Sequence, residues 1–325
     1  MISVALCTYN GEKYLPEQLE SILQQSVSVN ELVVCDDGSK DDTLGILERF
    51  ADKVPFPVRV FQNTTNLGST KNFEKCLTLC QGDILFLCDQ DDRWRADKVE
   101  KQVRYLDEHP DLDAVFSNAQ VIDDFSQPTQ STIWQQVEFN ESSQQLWKAG
   151  KAHEILFGGF VVTGATLAIR RSALERLVPF PTHIPKLIHD AWIALALSLE
   201  GKIQFIDEPL VSYRMHASQQ VGFGSRMEPV RLKDRLARDR AEKLAPIREK
   251  ADDILKIYLL LRELPYIPRE KLIKLYLRQK HFDRRASLPD NRLLRVVPVL
   301  KEVVAGRYQF SSKDWWLPAL GDIFE

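Results

Sequence analysis

The chain has 325 residues, which is enough for one large domain or two ordinary ones. Its 44% hydrophobic and 27% charged residues are typical of a globular protein with a sizeable core. The net charge of −3 gives no overall case for binding nucleic acid, and no apolar run reaches the roughly 18 residues of a transmembrane helix.

Predicted strands and helices alternate over the first 117 residues. Apolar runs of strand length occupy residues 2–7, 31–35, 58–61, 84–88 and 114–117. Helical spacing of apolar residues marks residues 14–23, 44–50, 71–80 and 98–109. This alternation predicts an α/β fold with a mostly parallel central sheet and right-handed crossovers.

The pattern is less regular from residue 118 to about residue 228. Residues 118–152 are rich in Gln, Ser and Asp, which predicts a long loop with short elements. Further elements are predicted as a strand at 160–169, an apolar helix at 189–199, and short strands at 202–207 and 209–213. We therefore expect one domain over residues 1–228.

The remainder, residues 229–325, is expected to form a basic helical extension. Residues 231–310 carry 21 Lys and Arg against 11 Asp and Glu, whereas residues 1–230 carry 21 against 32. Helices are predicted at 231–264, with a possible break at Pro246, and at 271–282 and 293–304. Two roles stay open for the extension: packing on the first domain, or a peripheral contact with anionic lipid.

The N-terminus and the cysteines both bear on location. Met1 leads directly into a strand-like segment without a basic region or a small-residue cleavage site, so no signal peptide is expected. The five cysteines are an odd number and lack metal-binding spacing, which is typical of reduced thiols. These features predict a cytoplasmic protein.

Three acidic residues follow the apolar strand at 84–88. Asp89, Asp91 and Asp92 would lie at the carboxyl end of that strand, where open α/β sheets bind ligands. Adjacent carboxylates repel one another unless a cation lies between them, and Mg²⁺ and Mn²⁺ prefer oxygen ligands. The alternative is a solvated acidic turn. The favoured prediction is a divalent metal site that leaves positions open for substrate phosphates.

Polar residues also end the first two strands. Thr8, Tyr9 and Asn10 follow the first strand, and Asp36 and Asp37 follow the second. The first turn matches neither GxGxxG nor GxxxxGK[ST], which argues against nicotinamide and P-loop enzymes. Asp36 or Asp37 would accept a hydrogen bond from a pyrimidine N–H or a ribose hydroxyl, or would instead cap the next helix.

Four motifs in this order resemble glycosyltransferase family 2 over about residues 1–222. They are residues 3–11 (SVALCTYNG), 34–39 (VCDDGS), 66–68 (NLG) with Lys71 and Asn72, and 89–92 (DQDD). The resemblance implies the GT-A fold, with a nucleotide-sugar half over about 1–117 and an acceptor half over about 118–228. It also implies transfer with inversion of the anomeric centre.

The resemblance further implies which residues bind the donor and a metal. Donor contacts fall on Thr8, Tyr9, Asn10, Asp36, Asp37, Lys71, Asp89, Gln90 and Arg214. Asp89 and Asp91 would form the DxD metal pair, with Asp91 the more direct ligand and His216 completing the shell. Lys stands at position 71 where Arg is common, and a phosphate contact survives that change better than a bidentate one would.

An inverting transfer needs a base that takes the proton of the acceptor hydroxyl. The resemblance points to Asp190 at the start of an apolar helix, although a simple helix cap is the alternative. Many relatives have Glu-Asp where this chain has His-Asp, so His189 is expected to orient Asp190 or to touch the acceptor. Acceptor-side positions are Asp92, Trp94, Gly159, Thr163 and Gly164.

The sequence thus predicts a metal-dependent inverting glycosyltransferase that acts on a hydroxyl of a bacterial surface polysaccharide or lipid-linked glycan. The DQDDxW and HDAW motifs most resemble the rhamnosyltransferase branch, which implies dTDP-L-rhamnose as donor, and UDP-sugars stay open. A sugar nucleotidyltransferase is the less favoured alternative, and a binding module would not need both the acid cluster and Asp190. No nucleic-acid partner is expected, and the location is cytoplasmic or peripheral on the inner face of the cytoplasmic membrane.

Overall fold

The structure is a computed structural model that describes residues 1–216 and 240–324. These residues fall into two compact units. We call residues 1–216 the first unit and residues 240–324 the second unit. The predicted boundary at residue 228 lies outside the described residues.

The first unit is built on one sheet. Its strands are β1 (Ile2–Thr8), β2 (Glu31–Asp36), β3 (Val58–Gln62), β4 (Ile84–Asp89), β5 (Arg93–Trp94), β6 (Ala114–Ile122), β7 (Pro128–Thr132), β8 (Ala168–Arg170) and β9 (Ile203–Arg214). They are ordered β3-β2-β1-β4-β8-β6-β9-β5, with β7 on β6. The sheet is parallel from β3 to β4, as predicted, and mixed beyond, because β8 runs antiparallel to both β4 and β6.

The helices of the first unit alternate with these strands in the predicted way as far as α4. They are α1 (Leu15–Leu23), α2 (Thr43–Ala51), α3 (Ser69–Leu79), α4 (Lys98–Glu108), α5 (Ile133–Gln136), α6 (Glu141–Leu146), α7 (Ala152–Leu156), α8 (Arg171–Leu177) and α9 (His189–Glu200). Strands β1, β2 and β4 are buried along nearly their whole length, as their apolar sequences require of strands covered on both faces.

The parallel register brings the polar strand ends to one edge of the sheet. Thr8 pairs with Asp36 across β1 and β2, and Cys7 pairs with Asp89 across β1 and β4. The predicted convergence of the three strand ends is therefore present, and this edge forms the floor of the site described below.

Of two predictions for residues 118–169, one is confirmed in outline and one is wrong. The expected long loop with short elements holds the end of β6, then β7 and the short helices α5 to α7, and its rings Trp134, Phe139 and Trp147 pack with Phe116 and Phe205 at distances of 4.9–6.4 Å. The expected strand at 160–169 is reduced to β8, since residues 160–163 are irregular and Gly164–Thr166 forms a 3₁₀ turn. This turn binds the start of α9, as shown below.

The second unit is helical, as predicted. Its helices are α10 (Arg240–Glu263), α11 (Ile273–Ala286), α12 (Arg292–Val304) and α13 (Trp316–Phe324), with 3₁₀ turns at Arg269–Leu272 and Arg307–Phe310. Pro246 lies within α10 without ending it, and residues 231–239 of the predicted helix lie outside the described residues. No helix in the described part of the chain is long and apolar enough to cross a membrane.

Candidate active site

A cavity of about 720 Å³ opens at the sheet edge where β1 and β4 end. Its wall includes twelve of the residues that the sequence singled out: Thr8, Tyr9, Asn10, Asp37, Asp89, Gln90, Asp91, Thr163, Gly164, His189, Asp190 and His216. The sheet edge supplies the first seven, and the 3₁₀ turn, α9 and the residues after β9 supply the rest. We call this cavity the cleft.

Asp36 organises the turn after β2 and does not line the cleft. Its carboxylate is fully buried and accepts hydrogen bonds from Thr8 Oγ1 at 2.9 Å and from the backbone N–H of Gly38 and Ser39 at 3.1 and 2.9 Å. The Ser39 hydroxyl donates to it as well. This is the turn-forming alternative rather than the predicted nucleoside contact.

Asp37 is the carboxylate of this pair that reaches the cleft. It accepts hydrogen bonds from the backbone N–H of Leu67 at 2.7 Å and of Gly68 at 2.9 Å. Asn63 Nδ2 donates to it at 2.8 Å. The NLG motif therefore fixes Asp37 at the cleft, which explains why the two motifs occur together.

Gln90 joins the ends of β1 and β4. Its side-chain oxygen accepts from the backbone N–H of Tyr9 at 2.8 Å, and its amide donates to the Tyr9 carbonyl at 3.1 Å. A side chain on Gly11 would place its Cβ 2.3 Å from the Gln90 oxygen, so it would push the Gln90 amide away from Tyr9. The backbone of Thr8 to Asn10 is thereby held in one position beside the acidic residues.

Carboxylates crowd the centre of the cleft. Burial, together with the nearby carboxylates of Asp91 and Asp190, raises the pKa of Asp89 to about 8. Asp92 is fully buried beneath them and accepts a hydrogen bond from the backbone N–H of Arg214 at 2.9 Å. Burial also raises the pKa of Asp92. Asp92 thus supports the cluster from below and does not line the acceptor side.

Asp91 and His216 are the residues best placed to hold a metal. Asp91 Oδ2 lies 3.0 Å from His216 Nε2. No three His, Cys, Asp or Glu side chains in residues 1–216 and 240–324 form a metal-binding group, so the three predicted ligands are not assembled as one set. A carboxylate oxygen and an imidazole nitrogen nevertheless fit Mn²⁺ or Mg²⁺, which often keep few protein ligands and complete their shell with water and substrate phosphates.

Arg214 lies beneath the acidic residues and does not line the cleft, which is at odds with the predicted phosphate contact. Its side chain is 1% exposed and donates to the Asp91 carbonyl at 2.7 Å and to Glu17 at 2.5 Å. It also donates to the Asp123 carbonyl at 3.2 Å and to Ser126 Oγ at 2.9 Å. Because these protein groups engage the guanidinium, Arg214 fixes the acidic loop instead.

Three other predicted residues also lie outside the wall of the cleft. Lys71 pairs with Glu74 at 2.8 Å on α3. Trp94 is buried, and the Lys98 ammonium lies 3.6 Å from the centre of its ring. Gly159 is exposed with no atom within 4 Å of where a Cβ would lie.

Asp190 lies in the first turn of α9 and is held by two backbone groups. One carboxylate oxygen accepts from the N–H of Gly164 at 2.8 Å, and the other accepts from the N–H of Ala191 at 2.7 Å. Both bonds fix the orientation of the carboxylate. The group remains part of the cleft wall, so it can accept a proton from a bound molecule.

His189 is a buried side chain of the cleft wall with unpaired nitrogens. It stacks on Phe73 at 4.1 Å, and neither ring nitrogen has a hydrogen-bond partner within the described part of the chain. Burial lowers the pKa of His189, so the ring is neutral at pH 7. A Cβ at Gly164 would lie 2.8 Å from His189 Nε2, which explains the glycine at that position.

Several other residues of the wall could not be identified from the sequence. Apolar side chains of two irregular segments contribute to it, namely Phe160, Val162, Pro185 and Ile188. Tyr14 also belongs to the wall, and its ring lies 4.8 Å from the His216 ring and 4.6 Å from the Arg214 guanidinium. None of these residues belongs to a polar motif, so only the folded chain reveals them.

The family model "Glycosyl transferase family 2" matches residues 3–178 of the chain. This span covers more than half of the 325 residues and includes the acidic cluster and the 3₁₀ turn at Gly164. The chain belongs to glycosyltransferase family 2. The resemblance inferred from the motifs is confirmed at the level of the family.

Curated relatives of this family 2 glycosyltransferase are distant. An uncharacterized protein of Mycobacterium bovis is 28% identical over 220 residues, which cover 66% of this chain and 59% of the relative. The chain therefore spans less than two thirds of that relative's length. Bacillus subtilis TuaG, named as a teichuronic acid biosynthesis glycosyltransferase, is 32% identical over 106 residues, which cover 33% of this chain and 42% of TuaG.

Solved structures share the fold. The crystal structure of S. aureus TarS residues 1–349 has a TM-score of 0.54 at 17% identity, covering 99% of this chain and 79% of the other. Mannosyltransferase PcManGT from Pyrobaculum calidifontis, in complex with GDP-Man and Mn²⁺, has a TM-score of 0.50 at 17% identity, covering 99% and 84%. These likenesses and the family establish the predicted GT-A fold.

Proposed function

We propose that this protein transfers a sugar from a nucleoside diphosphate donor to a hydroxyl group of a glycan, with inversion at the anomeric carbon. One observation carries the proposal. The cleft has the acidic end of β4 in its wall together with Asp190, and both oxygens of Asp190 are held by backbone N–H groups. A charged donor and an oriented base would therefore meet in the same cavity.

Asp190 acts as the general base in this proposal. The acceptor oxygen attacks the anomeric carbon while its proton passes to the Asp190 carboxylate, and the bond to the donor phosphate breaks with its electrons on the phosphate oxygen. The bonds from Gly164 and Ala191 keep the carboxylate in one orientation during this step. Neutral His189, next to it in the wall, would bond an acceptor or donor hydroxyl.

The donor would bind along the sheet edge. Thr8 to Asn10 and Asp37 would contact the nucleoside, since they form the part of the wall at the ends of β1 and β2. Asp91 and His216 would hold a divalent metal, with Asp89 beside them. A metal bound there would neutralise charge on the departing diphosphate. Lys71 stays a candidate for phosphate contact because α3 also supplies Ser69 and Asn72 to the wall.

For the donor sugar we propose L-rhamnose carried by dTDP. The apolar side chains of Phe160, Val162 and Ile188 in the wall suit the methyl group of a 6-deoxy sugar. A UDP-sugar is the second candidate, since TarS has been crystallised with UDP-GlcNAc and has the same fold. PcManGT carries GDP-Man and Mn²⁺, so structures of this fold bind several donors and the metal with them.

The proposed acceptor is a hydroxyl of a bacterial surface polysaccharide, free or lipid-linked. The name of the relative TuaG, which refers to teichuronic acid biosynthesis, supports this choice. We place the reaction in the cytoplasm or at the inner face of the cytoplasmic membrane. The contact that would hold the protein there is argued in the next subsection.

The first experiment is thermal unfolding of the full chain with UDP, dTDP, GDP, CMP and NAD, each with and without Mn²⁺. A Mn²⁺-dependent stabilisation by dTDP alone supports the proposal with rhamnose, and stabilisation by UDP keeps the transferase but replaces the sugar. The Asp91→Asn variant is the matched control and should lose the Mn²⁺-dependent part of the shift. No response to any nucleotide would overturn the proposal.

A further inference from the structure

Helix α12 of the second unit exposes an apolar stripe. Leu293, Val297, Leu300 and Val304 recur at the spacing of one helical face and are 51–87% exposed. Leu294 beside them is exposed as well. A helix that packs on a core ordinarily turns such a stripe inward, so its exposure in the folded chain calls for a binding partner.

Helix α13 repeats this arrangement. Trp316, Leu320 and Phe324 follow one another at intervals of four residues and are 46–56% exposed. Trp315 and Leu317 at the start of the helix are exposed too. We call these residues and the stripe of α12 the outer stripes.

The opposite sides of the same two helices carry buried charge. Asp322 on α13 accepts hydrogen bonds from Arg285 Nε at 2.6 Å and from Tyr308 at 2.8 Å. Glu302 on α12 lies 2.9 Å from His281 Nδ1 and accepts from Arg307 at 2.8 Å. Turning either helix to hide its outer stripe would break these buried pairs, which is costly. The outer stripes therefore belong to the stable fold of the unit.

The charge of the second unit identifies the partner. Residues 240–324 carry 18 Lys and Arg against 11 Asp and Glu, and exposed Arg292 and Lys301 flank the stripe of α12. A second copy of the chain would bring two basic units together, which like charges oppose. A bilayer with anionic lipid complements both the basic charge of the second unit and its outer stripes, because it offers negative charge above an apolar interior.

We propose that the outer stripes dock the protein on an anionic lipid bilayer. Leu, Val and Phe side chains enter the boundary between headgroups and acyl chains, and Trp315 and Trp316 lie at headgroup level, where tryptophan is favoured. Arg292 and Lys301 contact lipid phosphates. The contact is peripheral, since none of the helices among the described residues could span the membrane. This docking surface is independent of the proposed chemistry, although it would bring the cleft to a lipid-linked acceptor.

The test is co-sedimentation of the full chain with vesicles. One set is phosphatidylcholine alone, and the other contains one third phosphatidylglycerol. We expect binding to the anionic vesicles, weakened by salt, and little binding to phosphatidylcholine alone. Replacing three stripe residues together (Leu293→Glu, Val297→Glu and Leu300→Glu) should weaken binding about 100-fold or more, because it removes apolar contact and adds negative charge.

Ile273→Glu is the matched control. Ile273 begins α11 of the same unit and is 58% exposed, the same as Val297, but lies outside the outer stripes. This variant should bind vesicles as the unaltered chain does. Both variants should keep the thermal shift with nucleotide, which separates a failure of docking from a failure of the proposed chemistry.

Three results would overturn the proposal. One is the absence of binding to either kind of vesicle, and another is unchanged binding of the triple variant. The third is concentration-dependent dimerisation in light scattering that the triple variant abolishes while no vesicle binding is seen. That last result would assign the outer stripes to a second copy of the chain.

Discussion

The two units distribute charged and apolar side chains differently. In the first unit, strands β1, β2 and β4 are apolar and buried, and carboxylates gather at their ends beside a cleft. In the second unit, buried ion pairs accompany a small apolar core, and apolar stripes face outward on α12 and α13. The first arrangement prepares a site for a charged small molecule, and the second prepares a surface for an apolar partner.

The two units therefore leave different kinds of groups available for binding. Buried polar atoms without partners within the described part of the chain occur beside the cleft at His189, Asp92 and Lys98. Such atoms are costly unless a ligand or a function uses them. In the second unit Arg278 Nε is such an atom, but the more extensive feature is the apolar side chains of the outer stripes that are exposed to water. The comparison predicts that variants of the cleft change turnover, whereas variants of the second unit change stability or docking.

The largest expected effect is that of Asp190→Asn. The amide keeps the shape of the side chain but cannot take the acceptor proton, so turnover should fall about 1000-fold. Release of nucleoside diphosphate measures turnover, and a thermal-shift titration measures the affinity for the donor, which should be retained. Unchanged turnover would remove Asp190 as the base, and an equal loss of donor affinity would make it a donor ligand.

A smaller loss is expected from Gly164→Ala. The new Cβ would lie 2.8 Å from His189 Nε2, so His189, which adjoins the base, must shift, whereas its distance of 3.5 Å from Asp190 Oδ2 is an ordinary contact. Displacement of this size in a catalytic group costs about 100-fold in turnover. Gly159→Ala is the matched control, because nothing lies within 4 Å of that position, and it should leave turnover unchanged. Equal effects of the two changes would mean that the packing at Gly164 does not matter.

Much of the first unit could be predicted because its signals are local. Apolar runs that end in Asp or Thr predict β1, β2 and β4 correctly, and the parallel register of these strands brings seven of the predicted residues to the cleft. The family resemblance predicts that Arg214 contacts the donor, and a guanidinium is well suited to bind the donor phosphate. The structure instead buries Arg214 among Glu17 and Asp91, a partnership over 100 residues of sequence that no local pattern reveals.

Other features could not be predicted because periodicity does not say which face turns inward. The spacing of residues 293–304 correctly indicates α12, but the apolar stripe of that helix is exposed and its Arg295 and Glu302 are buried. Lys98 is a similar case, since a lysine at the start of a helix is ordinarily solvated. Here it is fully buried against Trp94, and burial lowers its pKa to about 7.

The third prediction tests the role of Arg214 in the first unit. Arg214→Met removes four side-chain hydrogen bonds from a buried position, so the free energy of unfolding should fall by about 3 kcal/mol. Arg93→Met is the control, because Arg93 pairs with the same Glu17 at 3.2 Å but is 45% exposed, and it should cost less than about 1 kcal/mol. Urea unfolding measures both. Weaker donor binding without lost stability would restore the phosphate contact.

The smallest expected effect concerns the interior of the second unit. Burial lowers the pKa of His281 to about 4, although the hydrogen bond with Glu302 acts to raise it. Between pH 6.5 and pH 4 the unfolded chain therefore binds a proton that the folded chain does not. The stability contributed by neutral His281 is complete above pH 6.5 and falls on acidification through that window by about 2–3 kcal/mol.

His281→Gln isolates this effect. Glutamine does not titrate, so the variant should lose about 1–2 kcal/mol at neutral pH, through its altered bonds to Glu302 and Ser311, but very little more on acidification. The measurement is the difference in urea midpoint between the two proteins from pH 7.5 to pH 4, because titration of the first unit cancels in that difference. The two curves should converge as the pH falls and then cross, because the unaltered chain loses more stability on acidification than the substitution costs at neutral pH. Parallel curves would mean that His281 is protonated as readily in the folded chain as in water, and the interior of the second unit would then tolerate charge as the cleft does.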